Sequence, residues 1–206
     1  MAIYDCFQFF DEEHILDLRL NILNEFVDFF VFVESTTDHQ GKEKKLNFDS
    51  KKFKKFNEKI IYIVVDDTSE LIKKPHKGGE SLVEQHQRNS LMRGLKNCRD
   101  NDLVIISDVD EIPDLNKLNL FNQKKKYAVF SQKMFNYKIN LLNQTESNWH
   151  GSKICLKKNL KSPQWLRNLK FKKYPFWRID KVRNIQIIEN GGWHFAYLRK
   201  PEDISK

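Results

Sequence analysis

The sequence predicts an α/β fold, a single domain in which a mostly parallel central sheet is flanked by helices. Three observations carry that expectation. Strand-like apolar runs occur at Ile3–Phe10, Phe29–Val33, Ile60–Val65 and Leu103–Ile106, and each gives way to polar residues. The last three are continuous rather than alternating, as in parallel strands covered on both faces. Helical or looped stretches separate the runs, which makes right-handed βαβ units the economical topology. A length of 206 residues suits one substantial domain and not two.

The first strand leads to Asp11, a helix N-cap candidate, after which Ile15, Leu18, Ile22 and Phe26 recur at helical spacing. Phe29–Val33 ends in Glu34-Ser35. A short basic helix is expected around Phe53 and Phe56, and Ile60–Val65 ends in Asp66-Asp67. After Gly78-Gly79, Ser81 and Glu84 form a capping box for a helix running to about Cys98, which delivers the chain into Leu103–Ile106. Beyond Pro113 the texture changes. A short helix at Leu115–Phe121 and a strand at Tyr127–Tyr137 precede segments rich in Trp and Lys, ending in Glu189-Asn190-Gly191-Gly192-Trp193-His194-Phe195-Ala196-Tyr197. This second half is expected to fold back onto the same sheet, giving residues 1–113 as a ligand-binding half and 114–206 as its complement.

No apolar run approaches the length of a membrane span, and the start lacks a basic region followed by an apolar one, so the expectation is a cytoplasmic protein. Cys6, Cys98 and Cys155 are odd in number and far apart, as suits reduced thiols. The net charge of +8 is compatible with nucleic acid, an anionic membrane surface or a phosphorylated substrate and selects none of them. Four Trp fall in the second half; they suit stacking on sugars, but core packing is the commoner role.

Chemistry concentrates at Ser107-Asp108-Val109-Asp110-Glu111-Ile112-Pro113, where a buried strand ends in three carboxylates. Clustered carboxylates need a metal or basic group to neutralise them, and Asp residues at i and i+2 point the same way from extended backbone. Oxygen-only ligands favour Mg²⁺ or Mn²⁺, with phosphate or water completing the shell. There is no Gly-x-Gly-x-x-Gly after the first strand and no P-loop, so a diphosphate must be held otherwise. Two other readings stand at this level. A haloacid-dehalogenase-like phosphatase also places Asp-x-Asp after an apolar strand, here Asp108 and Asp110, though normally on the first strand. A non-enzymatic basic module binding carbohydrate or nucleic acid would use the Trp and Lys residues and leaves the three acids unexplained.

Four ordered blocks then resemble glycosyltransferase family 17: Tyr4 to Glu13, Phe32-Val33-Glu34-Ser35 with His39-Gln40-Gly41-Lys42, Asp108 to Pro113, and Gly191 to Phe195. The resemblance spans nearly the whole chain. It implies a GT-A-like fold and metal-dependent inverting transfer from a nucleotide sugar, UDP-N-acetylglucosamine as donor, with Mn²⁺ or Mg²⁺. The acceptor would be an oligosaccharide, glycolipid or glycoprotein, with peripheral contact to an anionic membrane surface and no nucleic acid. The anchor and stem of Golgi relatives have no counterpart, and relatives continue past the His194 block, so the acceptor-side half, 114–206, is expected to be cut short. For the metal, the implied ligands are Asp110, Asp108 and His194, with Asp108 also able to meet the ribose. Glu34 and Arg88 are expected to contact nucleoside and phosphate. Glu111 stands behind the metal or takes part in catalysis, and Glu189, Glu146 or Asp180 is the general base. Trp149-His150-Gly151 and Trp193 are candidate sugar-facing surfaces.

Overall fold

The computed structural model describes residues 1–38, 42–68, 71, 81–145, 148–170, 175, 177–178 and 182–198. His39-Gln40-Gly41, Gly78-Gly79, Glu146 and Asp180 lie outside them. The described residues form a mixed α/β domain around one nine-stranded sheet. Its strands are β1 (Ile3–Gln8), β2 (Phe29–Ser35), β3 (Ile60–Val65), β4 (Leu103–Asp108), β5 (Glu111–Pro113), β6 (Tyr127–Asn136), β7 (Asn148–Leu156), β8 (Gln186–Ile188) and β9 (Gly192–Ala196). The order is β3-β2-β1-β4-β7-β6-β9-β5, with β8 beside β6. Strands β3, β2, β1 and β4 are parallel, as the first half of the sequence implies. The second half is mixed: β7 runs antiparallel to β4 and β6, whereas β8 and β9 run parallel to β6.

The continuous apolar runs divide by alternation into two core layers. Phe7, Phe30, Phe32, Leu103 and Ile105 face helix α1 (Glu13–Leu23) with Phe53 and Phe56. Cys6, Val31, Val33, Val104 and Ile106 face the other side with Leu91, Leu95 and Leu166. A strand buried on both faces needs apolar residues at every position, which is why no alternation is visible in the sequence. Helix α2 (Leu82–Ser90) starts at the expected cap, the Ser81 hydroxyl accepting the Glu84 N–H, and continues into a 3-10 turn over Leu91–Leu95. Gly94 lets that turn lie against the sheet, because a Cβ there would meet Val31 Cγ1 at 2.4 Å. A short helix α3, Pro163–Arg167, is capped by Ser162. All three cysteines are free.

Two local expectations change. Glu12, not Asp11, occupies the N-cap position of α1, and its side chain makes no cap bond. Strands β5, β7, β8 and β9 were not legible, since β7 begins Asn-Trp-His-Gly-Ser and β5 and β8 have three residues each. Among the described residues no helix is long and apolar enough to cross a membrane.

Candidate active site

The sheet reverses its winding between β1 and β4, where Gln8 is paired with Asp108. The crevice outside the carboxyl ends of strands at such a reversal is where open α/β sheets bind ligands. A cavity of about 240 Å³ lies there, its walls including Gln8, Ser35, Thr37, Asp38, Lys44, Arg88, Asp108 and Asp110. A second cavity, of about 560 Å³, is lined by Ile15, Met134, Trp149, His194 and Tyr197 among others. Asp110 and Glu12 line both.

The acidic loop between β4 and β5 is held from beneath by a buried ion pair. Arg19 on α1 and Asp5 on β1 are fully buried and bonded through two parallel contacts of 2.7 and 2.6 Å. The remaining guanidinium hydrogens go to the carbonyls of Asp108, Val109 and Glu111, at 3.1, 3.2 and 2.8 Å, and to Ser107 Oγ at 3.0 Å. The planar fork of Arg thus fixes the chain at Ser107, Asp108, Val109 and Glu111, on both sides of Asp110. One sequence signal for this device exists: a charge inside an apolar strand, Asp5, and another on a mainly apolar helix, Arg19.

Above that floor each carboxylate has a different environment. Asp108 Oδ2 accepts from Arg167 on α3 at 2.6 Å, and Oδ1 lies 3.4 Å from both Arg167 and Arg88. Burial acts to raise the Asp108 carboxyl, but Arg167 and then Arg88 outweigh it and hold it below the usual range. Glu111 is enclosed, accepting from Trp149 Nε1 at 2.6 Å, Arg167 at 3.1 Å and the Asp108 N–H at 3.2 Å. Burial, then the Asp108 charge, pushes its carboxyl up. Lys153 donates to the Arg167 carbonyl, and burial with the nearby Arg167 charge brings its ammonium down to about 8. Asp110, with 30 % of its side chain exposed, lies 3.4 Å from His194 Nε2.

His194 arrives by register. In the antiparallel β5–β9 pair it stands opposite Glu111, and the Phe195 N–H bonds the Asp110 carbonyl at 3.0 Å. Gly192 permits this pairing, since its φ is +129° and a Cβ would meet the Ile112 carbonyl at 2.2 Å. The His194 ring packs 4.9 Å from Trp149. Its Nδ1 is buried without a hydrogen-bond partner among the described residues. Burial opposes the imidazolium, but the bond to Asp110 and its charge outweigh this and raise the His194 pKa.

The cation expected for the acidic block is therefore supplied in part by protein. Arg167 and Arg88 balance Asp108 and Glu111, and Asp110 is left with His194. An Asp oxygen and an imidazole nitrogen 3.4 Å apart at the meeting of two cavities suit a divalent cation that takes its remaining ligands from phosphate and water. Among the described residues no group of three or more His, Cys, Asp or Glu side chains is gathered for a metal. Asp108 does not suit a direct ligand in this arrangement, both its oxygens being engaged by guanidinium groups. The same pairing argues against Asp108 as a phosphatase nucleophile.

Other expected site residues are placed differently. Arg88 lines the first cavity and bonds Gln164 Oε1 at 2.6 Å. Glu34 is fully buried beneath the 44–48 segment, where it accepts from Lys44 Nζ, the N–H groups of Asn47 and Phe48, and the Tyr62 hydroxyl. With four donors it is saturated and braces the loop instead of meeting a nucleoside. Glu111 is too enclosed to reach an acceptor hydroxyl; it positions Trp149 and Arg167. Glu189 is exposed in the turn before β9, its carbonyl bonded to Lys117, and it lines neither cavity. Trp149 lies on the second cavity wall, whereas Trp193 packs against the core. Sequence reasoning missed Arg167, Lys153 and Glu12. The first two lie in basic stretches indistinguishable from solvated surface, and Glu12 is one of three adjacent acids.

The model of glycosyltransferase family 17 matches residues 1–199 of the chain. Among solved structures, the chain is similar to a Desulfovibrio desulfuricans G20 protein provisionally designated a nucleotide-diphospho-sugar transferase. The identity is 9%, the match covers 95% of this chain and 82% of that one, and the TM-score is 0.43. A comparison with curated proteins finds none that matches.

Proposed function

The chain belongs to glycosyltransferase family 17, and we propose that it is a metal-dependent inverting transferase moving N-acetylglucosamine from its UDP-sugar to a glycan acceptor. The observation that carries this reading is the meeting of two cavities at Asp110 and Glu12, one of them at the sheet's reversal point. In this reading the smaller cavity takes the donor. Its diphosphate lies against Arg88 and Asp110, and the nucleoside lies toward Ser35 and Thr37. Asp110 and His194 would hold Mn²⁺ or Mg²⁺, which when bound supplies Lewis-acid stabilisation of the departing diphosphate. Arg167 and Arg88 keep Asp108 ionised and fixed, so the electrostatics are preorganised before the donor enters.

The larger cavity takes the acceptor, with Trp149 offering an aromatic wall to a sugar face. An attacking hydroxyl must lose its proton as it meets the anomeric carbon. Glu12 is assigned that role, because besides Asp110 it is the acid common to both cavity linings. Its Oε2 accepts the N–H groups of Phe10 and Asp11, at 3.2 and 3.1 Å, which orients the carboxylate.

The test is a thermal-shift series of UDP-sugars with and without Mn²⁺. Saturating UDP-N-acetylglucosamine with Mn²⁺ should raise Tm by about 5–10 °C at a hundred times Kd. Equal stabilisation by UDP in the presence of chelator would remove the metal from the proposal. Glu12→Gln should preserve that shift, since Gln still accepts the two N–H bonds, while lowering kcat about 10²–10⁴-fold. A Glu12→Gln enzyme with near-native kcat would return the base to another carboxylate.

A further inference from the structure

Residues 137–143, after β6, form a tight turn beside the larger cavity. The Asn136 N–H bonds the Leu141 carbonyl at 3.0 Å, the Asn143 N–H bonds the Met134 carbonyl at 2.8 Å, and Phe135 bridges Leu142. At its tip three apolar side chains face water beside the exposed polar Lys138 and Asn140: Ile139 is 65% exposed, Leu141 51% and Leu142 41%. Two exposed tyrosines flank them. Tyr137 and Tyr197 stack at 5.8 Å, and both hold positive φ, 65° and 59°. Such a backbone is costly for a bulky residue and is held here by the Tyr137 N–H bonding the Ala196 carbonyl at 3.0 Å. The folding core gains little from this turn, whose large side chains point away from it.

The pattern has a chemical address. Aliphatic residues at the tip, tyrosines at the base and exposed Lys133 and Lys138 beside them, with no Asp or Glu from 133 to 145, match the layers of a lipid interface: acyl boundary, headgroup level, anionic surface. The chain's net charge of +8 is complementary to such a surface. We propose that the Tyr137–Leu142 turn with Tyr197 docks this domain on an anionic phospholipid surface. Met134 and Tyr197 also line the larger cavity, so the docked face opens onto it. The acceptor class that follows, a glycolipid presented from that surface, rests on the transferase reading, whereas the docking does not.

The experiment is co-sedimentation of the full chain with vesicles of phosphatidylcholine alone and of phosphatidylcholine with equal phosphatidylserine. The chain should partition onto the anionic vesicles, more weakly as salt is raised. Ile139→Glu combined with Leu141→Glu should reduce that partition about tenfold or more, with Tm within a degree or two of wild type because both side chains are exposed. Lys133→Gln with Lys138→Gln should lessen the preference for phosphatidylserine. The UDP-sugar thermal shift, read on the same proteins, should not move. Loss of that shift in wild type would overturn the transferase reading and leave docking standing. Absence of vesicle binding by wild type, undiminished binding by the Glu variant, or conversion of a wild-type dimer to monomer by that variant would overturn docking.

Discussion

Asp110→Ala is expected to abolish Mn²⁺-dependent stabilisation by UDP-N-acetylglucosamine and to lower kcat/KM for transfer by on the order of 10²–10³-fold, about 3–4 kcal/mol of transition-state stabilisation. The reason is positional. Asp110 lines both cavities, and its carboxylate is the one in the acidic loop not already balanced by an arginine. The fold should survive, because the Asp110 side chain is partly exposed and its structural bond, the carbonyl to Phe195 N–H, is kept by alanine. Asp108→Asn should behave differently. It would remove one of the two anions that balance Arg167 and Arg88, leaving Glu111 to the first and Glu84 to the second, so both apo stability and donor binding should fall. Differential calorimetry beside a transfer assay separates the two patterns; an Asp110→Ala protein that still binds donor in a Mn²⁺-dependent manner would refute the assignment.

The largest stability effect is expected at Arg19. Arg19→Met leaves the Asp5 carboxyl fully buried without its partner, which costs about 3–5 kcal/mol, a Tm loss of about 10 °C or more for a chain of this size. Adding Asp5→Leu should recover much of that loss, because two apolar side chains replace a pair whose charges were costly to desolvate. Transfer should not recover with it. The carbonyls of Asp108, Val109 and Glu111 would still lack the donor that sets the loop's path, so Asp110 would lose its position. A double variant regaining full activity would show that the guanidinium serves stability alone.

How much of this was legible varied with the distance over which each signal acts. The four parallel strands and the capped helix α2 could be read because burial on two faces and the Ser81–Glu84 cap leave local marks. The acidic block could be read because three carboxylates after a buried strand demand compensation. Which groups provide it could not be read. Arg167 lies 59 residues from Asp108, and nothing in Gln-Trp-Leu-Arg-Asn distinguishes it from a solvated arginine. Glu34 illustrates the converse error. A glutamate at a strand end looks available to a ligand until the 44–48 segment folds over it and supplies four donors.

The sequence by itself determined the α/β class, the order of the parallel strands' apolar runs and the acidic loop as a cluster of carboxylates that needs compensation. These follow from short-range patterns of apolarity and charge, which burial imposes on consecutive residues. Tertiary structure alone decided that His194 meets Asp110, that Arg167 and Arg88 meet Asp108, and that Glu12 stands between the cavities. Those contacts join residues tens of positions apart through strand register and helix docking. Electrostatics of that range depends on distance in space, of which spacing along the chain carries no record.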